Sequence, residues 1–332
     1  MLLVAAAAVG LAASARLAAA SPPTACVFHS DTSFAHLYSA VRPDGSLALL
    51  ANLTQWQSFV EGLNTRVSGE VVGSWCVIGD RDVDEMCELT LAADGASATQ
   101  ASFHVAKVPG HEDDYVSEIQ FDASTDAYVG VLDGYNRNNT PWLDFAAWSR
   151  KGSLLRVFED VTPVWKNWDG YVIGASAWDP KTRTFYVVAF EGMATSIYAF
   201  PLPLSGPSPS PTSFAAPPGG SPLAIAYSAA GGLLVQTGPL DPPGGTVGNL
   251  TLWRRDAGGW LQLLSVPREH SADDLIGSMD VTEDGLIAVI NFVDSSERPA
   301  LLWVDVSTGE EIGRVHPPGP QVTIVRFCNA KA

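Results

Sequence analysis

The sequence predicts an all-β fold, a β-propeller of six four-stranded blades, from a repeated phrase and from the place where its last copy stops. In each copy an aromatic residue or Met precedes a short polar turn and a β-branched or apolar run. The copies begin at residues 121, 178, 227, 279 and 327, with spacings of 57, 49, 52 and 48 residues. A fixed period of this length, filled with short strands and turns, is typical of propellers, in which each repeat forms one blade.

The last copy of the phrase predicts how the ring closes. It starts at Phe327, and the chain ends five residues later, so only an innermost strand at 322–327 is available at the C-terminus. The N-terminus can supply the second, third and outermost strands of the same blade from 25–29, 34–41 and 47–53. We therefore expect one blade to be built from both ends of the chain.

The same register predicts the other five blades, at residues 55–110, 113–161, 169–215, 220–268 and 273–319. The second blade lacks the phrase, so its inner strand, drawn from 57–73, is expected to be irregular, and a seventh blade there remains an alternative. Eight prolines in 201–222 predict a loop or frayed strand at the outer edge of the fourth blade, because proline donates no ladder hydrogen bond.

Four cysteines make an even set that allows three pairings. Cys26 and Cys328 lie near opposite ends of the chain, and a ring closed by both termini brings them together. Cys76 and Cys87 flank a loop of hairpin size. We predict the disulfides Cys26–Cys328 and Cys76–Cys87.

Residues 1–20 predict a secretory signal peptide, because an Ala/Leu/Val-rich run ends in three alanines at 18–20. A membrane anchor is disfavoured, since alanine-rich sequence partitions weakly into lipid. This leaves 21–332 as a single propeller domain, which we expect to be a secreted, extracellular monomer, or a periplasmic one in a bacterium. Three sequons predict glycosylation in a eukaryotic host, at Asn52, Asn138 and Asn249.

The net charge of −17 argues against nucleic acid or anionic membrane as partners, because both require basic patches. We expect an extracellular protein, a glycan or a small molecule instead. In a propeller, the loops that lead into the inner strands and the loops between second and third strands share one face, here called the loop face. Half of the 36 acidic residues fall in these loops: Glu112, Asp113, Asp114, Glu159, Asp160, Asp169, Glu269, Asp273, Asp274, Asp80, Asp82, Asp84, Glu85, Asp133, Glu191, Asp241, Asp294 and Glu297.

Clustered carboxylates are hard oxygen ligands suited to Ca²⁺, so calcium is the candidate cofactor, while ordinary solvated loop charges are the alternative. Two of these loops place a histidine, His111 or His270, close to an Asp-Asp pair. A histidine beside carboxylates can act as a general base or a metal ligand, or it can order the loop. No Gly-x-Ser-x-Gly, His-Glu-x-x-His or phosphate-binding glycine loop is present in the sequence.

An aromatic loop precedes the fourth blade and carries Trp165, Asn167, Trp168 and Asp169. If exposed, its indoles would form a stacking platform for a sugar or an anchor for a protein partner. If buried, they pack one blade against the next. Both interpretations stay open from the sequence.

The repeated phrase resembles the repeats of the six-bladed propeller superfamily that includes gluconolactonase-like and NHL-repeat proteins. In the lactonase branch, the resemblance implies a central Ca²⁺ held by a Glu, an Asn and an Asp. The positions that can match here are Glu118, Asn167 and Asp274. It also makes Glu118, with His111, a candidate catalytic residue.

Two functions follow from the sequence. The favoured one is a non-catalytic propeller that binds a protein or glycan on an acidic, Trp-bearing face. The alternative is a Ca²⁺-dependent hydrolase of lactones or esters, in which the metal polarises the carbonyl and a carboxylate or His111 is the base.

Overall fold

The computed structural model describes residues 22–30, 36–53, 56–59, 65–68, 71–78, 84–109, 115–135, 141–158, 170–191, 194–238, 248–268, 278–294, 298–318 and 321–328. Within these ranges the chain forms strands and no helix, as predicted. Accordingly, no helix there is long and apolar enough to cross a bilayer. The signal peptide predicted at 1–20 lies outside the described residues.

The strands form six antiparallel sheets, which are the six blades. In chain order they are β1 (Ala25–Ser30), β2 (His36–Val41), β3 (Leu47–Asn52), β4 (Trp56–Phe59), β5 (Thr65–Ser68), β6 (Val71–Ile78), β7 (Asp84–Leu91), β8 (Ala98–His104), β9 (Tyr115–Asp122), β10 (Ala127–Tyr135), β11 (Pro141–Ser149), β12 (Leu154–Phe158), β13 (Gly170–Asp179), β14 (Thr184–Glu191), β15 (Ala194–Pro201), β16 (Thr212–Ala215), β17 (Ser221–Ser228), β18 (Gly232–Gly238), β19 (Gly248–Asp256), β20 (Gly259–Arg268), β21 (Ser278–Val281), β22 (Ile287–Val293), β23 (Pro299–Asp305), β24 (Glu311–Val315) and β25 (Gln321–Phe327).

The ring is closed by both ends of the chain. The first blade has the strand order β25-β1-β2-β3, so the C-terminal strand is innermost and the N-terminal strands complete the sheet. Cys26 in β1 lies opposite Arg326 in β25, and a disulfide joins Cys26 to Cys328 across 302 residues of sequence. The predicted closure and the Cys26–Cys328 bridge are therefore confirmed.

The second cysteine pair is described only in part. Cys87 is disulfide-bonded, while the side chain of Cys76 lies outside the described residues. In the paired strands β6 and β7, the backbone of Cys76 lies opposite that of Glu85, and the backbone of Cys87 opposite that of Ser74. The Cys76–Cys87 bridge itself stays a prediction.

The second blade is irregular, and its inner strand is broken. Strand β4 pairs with residues 76–78 of β6, and β5 pairs with residues 71–73 of the same strand. The two short strands thus line up along one neighbour, with residues 60–64 between them. With six sheets accounting for all described strands, the interruption explains why the repeated phrase is missing here, and this segment adds no seventh blade.

The core is divided into six clusters of buried side chains, one at each seam between neighbouring blades. The middle strands are buried on both faces because a blade covers each side; along β23, for example, only Pro299 is partly exposed. The outermost β8 alternates instead between partly buried and exposed residues. The fourth blade ends in the four-residue strand β16, which agrees with the proline-rich edge predicted there.

In the third, fourth and fifth blades, the polar residue of the repeated phrase stabilises the turn that follows the inner strand. The Asp122 carboxylate accepts the backbone N–H of Ser124 at 3.1 Å, and the Asp179 carboxylate accepts that of Lys181 at 2.9 Å. In the next blade the Ser228 hydroxyl accepts the backbone N–H of Gly231 at 2.8 Å. Side chains that hydrogen-bond the backbone two or three residues ahead stabilise tight turns. The phrase is thus explained by blade geometry.

Candidate functional site

In the observed topology, the first strand of every blade begins on the same side of the ring. Each blade is an antiparallel meander of four strand positions, so the chain returns after the fourth strand to the side on which the first began. The segments between blades and the segments between second and third strands therefore leave the ring on one side. This side is the loop face on which the sequence concentrates acids.

Most residues predicted to act at the loop face lie outside the described residues. They are His111, Trp165, Asn167, Trp168, Asp169, His270 and Asp274. Of the predicted loop-face acids, Glu85 and Asp294 have described side chains. Glu85 lies 3.6 Å from the His104 imidazole, and Asp294 lies 3.1 Å from the Arg298 guanidinium. These two carboxylates therefore face local basic groups.

Glu118 is the one predicted catalytic or metal residue that the structure describes. It lies in the inner strand β9 and is fully buried. Its carboxylate accepts a 2.6 Å hydrogen bond from the Ser176 hydroxyl, on the inner strand β13 of the next blade. Gln120 donates to the backbone carbonyl of Ser176 at 3.1 Å. Glu118 thus belongs to a polar contact that ties the third blade to the fourth.

The fit of a central Ca²⁺ to this chain can be tested only at Glu118. Its carboxylate is a suitable hard ligand, but one of its oxygens already accepts a hydrogen bond from the Ser176 hydroxyl. Asn167 and Asp274, the other two positions implied by the resemblance, lie outside the described residues. Within the described ranges, no group of three or more His, Cys, Asp and Glu side chains is arranged to hold a metal ion.

Other polar groups near the inner strands also join neighbouring blades. The Asp122 carboxylate at the end of β9 binds the Arg183 guanidinium of the fourth blade. Burial alone would raise the pKa of Asp122, but hydrogen bonds from Thr125, Ser124 and Arg183, with the charge of Arg183, hold that pKa below its usual value. Between the last blade and the first, the Asp280 carboxylate accepts the backbone N–H of Phe327 at 2.8 Å.

An aromatic cluster lies at the seam between the fourth and fifth blades. It consists of Tyr186, Phe214, Tyr227, Arg255 and Trp260, and we call it the seam cluster. All five side chains are partly exposed. Its members come from five different strands, so the sequence shows only local signals of it: aromatics beside a proline-rich segment and after a Gly-Gly turn.

The seam cluster has defined ring geometry. The rings of Tyr186 and Tyr227 are nearly parallel, 8° apart in plane with centroids separated by 6.4 Å. The Arg255 guanidinium carbon lies 3.6 Å from the Phe214 ring centroid and 5.5 Å from that of Trp260. The Trp260 indole donates to the Ala215 carbonyl at 2.9 Å, which fixes the ring against the edge of the fourth blade.

Comparison with known proteins supports the architecture. No protein-family model and no curated protein matches the sequence. Among solved structures, the chain is similar to TolB from Acinetobacter baumannii, with a TM-score of 0.53 and 11% identity over 92% of this chain. The chain spans 65% of the length of that TolB chain.

Two further similar structures are the periplasmic gluconolactonase PpgL from Pseudomonas aeruginosa and the BP39L lectin from Burkholderia pseudomallei. PpgL has a TM-score of 0.49 and 11% identity, covering 92% of this chain and 98% of its own. The lectin has a TM-score of 0.48 and 12% identity, covering 90% and 96%. The chain is a six-bladed β-propeller. Likeness at these identities shows the fold alone, and the ligand must be argued from this chain's own residues.

Proposed function

We propose that this protein is an exported, non-catalytic propeller that binds an extracellular protein or glycan on its loop face. The observation that carries the proposal is the topology, which gives every lead-in loop and every second-to-third loop the same side of the ring. The sequence fills those loops with half of its acids and with Trp165 and Trp168. A rigid scaffold that presents variable loops on one face is suited to binding.

The Cys26–Cys328 disulfide supports export, because such bonds persist in oxidising compartments. The apolar segment at 1–20 supplies a signal for that route. In the folded chain, Asn52 and Asn249 are exposed, as glycan attachment requires, whereas Asn138 lies outside the described residues. Glycosylation at all three sequons remains part of the proposal.

The role of Glu118 supports binding over catalysis. A catalytic or metal-binding carboxylate must present an oxygen to substrate or metal, whereas the Glu118 side chain is fully buried and one of its oxygens accepts a hydrogen bond from Ser176 of the neighbouring blade. The acidic loop face favours a cationic or neutral ligand, since it would repel an anionic one.

The test is a binding screen of the exported protein against immobilised glycans and basic extracellular proteins. We expect at least one ligand whose affinity falls about tenfold in Trp165→Ala or Trp168→Ala, as expected for an aromatic anchor at an interface. Binding to a basic protein should also weaken as salt is raised. Ligands that bind the variants as tightly as the original chain would contradict the assignment of this face.

The alternative function is a Ca²⁺-dependent lactone or ester hydrolase, for which the supporting observation is the inner-strand position of Glu118, whose carboxylate is a hard oxygen ligand. Its test is a hydrolysis screen with and without Ca²⁺, repeated on Glu118→Gln and Asp274→Asn. Hydrolysis that needs Ca²⁺ and is lost in both variants would replace the binding proposal.

A further inference from the structure

The seam cluster stands out by its exposure. Six aromatic side chains in the described part of the chain are partly exposed, and five of them line the seam between the fourth and fifth blades. They are Tyr186, Phe214, Tyr227, Trp253 and Trp260, with Phe103 the exception. At the preceding seam, between the third and fourth blades, Trp178, Phe185 and Phe200 are 7%, 0% and 0% exposed. Packing of blades by aromatic rings therefore does not require the exposure seen at this seam.

The rings of the seam cluster pack against the buried core between the fourth and fifth blades. Beneath the rings lie fully or almost fully buried aliphatic side chains from both blades, including Ala175, Val188, Ile197 and Val235. Tyr186 and Tyr227 come from the regular strands β14 and β17, and Trp260 is fixed by its hydrogen bond to Ala215. Side chains held on strands keep their geometry better than side chains on loops. The rings are thus preorganised, which lowers the entropic cost of binding.

Polar groups border the rings. Tyr227 lies close enough to the buried Asp179 to hydrogen-bond it, and burial together with that carboxylate raises the pKa of Tyr227 to about 12. Its phenol O–H is therefore directed at Asp179, and the phenolic oxygen keeps lone pairs that can accept a hydrogen bond from a ligand. The Arg255 guanidinium lies over Phe214 and carries donors toward the same surface. Exposed Lys181 follows Asp179 in the adjoining turn.

We propose that the seam cluster is a carbohydrate-binding site that takes a pyranose ring of an extracellular glycan. A pyranose has a C–H face that stacks on aromatic rings and a rim of hydroxyls that need donors and acceptors. The seam cluster offers both, as ligand sites that combine apolar walls with a few placed polar groups do. Its mixture of phenols, an indole and a guanidinium suits a sugar better than a purely apolar ligand.

This site goes beyond the proposed function, because it stands on residues separate from the loop face. The probe is a glycan array of neutral and uronate-containing oligosaccharides, followed by calorimetric titration of the best binder into the full exported chain. We expect affinity to fall at least about tenfold in Tyr227→Ala and in Trp260→Ala, the loss expected when a stacking ring is removed. Arg255→Met, which keeps much of the side-chain volume, should show a similar loss.

The matched control is Phe103→Ala, which removes the partly exposed aromatic of another seam and should leave sugar affinity unchanged. Circular dichroism and thermal unfolding check that each variant folds; if Tyr227→Ala does not fold, Trp260→Ala and Arg255→Met carry the test. Sugar binding that survives Trp260→Ala and Arg255→Met but is lost in Trp165→Ala would overturn the seam site and support the loop face. An array with no bound glycan would also overturn it, while binding of a protein at the loop face would leave the proposed function standing.

Discussion

Tyr128 occupies the space that a side chain at Gly73 would need. A β-carbon added to Gly73 would lie 2.4 Å from the Tyr128 hydroxyl oxygen and 2.9 Å from a ring carbon. Tyr128 belongs to the third blade and passes over Gly73 to Glu88 of the second blade. Its hydroxyl donates a 2.5 Å hydrogen bond to the Glu88 carboxylate. Arg150 binds the same carboxylate with two donors, at 2.9 and 3.0 Å. The seam between these blades is thus joined by a partly buried polar network.

We predict that Gly73→Ala lowers the free energy of unfolding by about 1–3 kcal/mol, because the added methyl group overpacks against a fixed tyrosine. Urea unfolding at pH 7 measures the change. Gly258→Ala is the control, since its added carbon would meet nothing closer than 3.4 Å. Equal stability of the Gly73 variant and the original chain would mean that Tyr128 does not lie over Gly73.

Removal of the Cys26–Cys328 bridge should lower stability by about 2–5 kcal/mol, since the bond restricts the unfolded chain. The double variant Cys26→Ala/Cys328→Ala, compared by urea unfolding without reductant, gives the value. Cys76→Ala/Cys87→Ala is the companion variant, with an expected loss of roughly 3 kcal/mol for a short closed loop. Peptide mapping by non-reducing mass spectrometry must find these two pairings; a Cys26–Cys76 peptide would contradict the closure of the ring.

Acid should weaken the contact between the third and fourth blades. The folded-state pKa of Asp122 lies below its usual value, so its carboxylate contributes stability above the unfolded pKa of about 3.9. That contribution is lost as the pH falls through the lower folded-state pKa. Asp122→Asn should therefore cost about 1.5–3 kcal/mol at pH 7, the range for hydrogen bonds to a charged group, and progressively less below pH 4.

The check is urea unfolding of the original chain and of Asp122→Asn between pH 7 and pH 2. Asp94→Asn serves as the control, because Asp94 is exposed in an outer turn of the second blade. A stability difference between the original chain and Asp122→Asn that stays constant over this pH range would show that the ion pair with Arg183 is not responsible.

Much of the fold was accessible from the sequence because each blade repeats the same local chemistry. A polar residue at the end of an inner strand, such as Asp122 or Asp179, must cap a tight turn, so it recurs with the period of the blade. The closure of the ring could be predicted for a related reason. The blade that contains the final copy of the phrase, at Phe327, needs further strands that only the N-terminus could supply. The broken inner strand of the second blade was expected only as an irregularity, since β4 and β5 are too short to show a pattern.

The contacts and the exposure of the candidate residues could not be predicted in the same way. Glu118 was identified as a carboxylate on an inner strand, but its partner Ser176 lies 58 residues away on another blade. The seam cluster cannot be predicted from the sequence. Alternation along a strand shows which face of the sheet a side chain points from, and not how closely the next blade covers that side chain. The exposure of Tyr227 and Trp260 depends on how two blades pack against each other, which is a tertiary property.

The most direct test of the account is calorimetric titration of Ca²⁺ into the exported, chelator-treated protein and into its Glu118→Gln variant. We predict no binding heat that depends on Glu118, because its carboxylate serves as a contact between blades. Micromolar Ca²⁺ binding that is weakened by Glu118→Gln and by Asp274→Asn would contradict this, and would identify a metal centre at the middle of the ring.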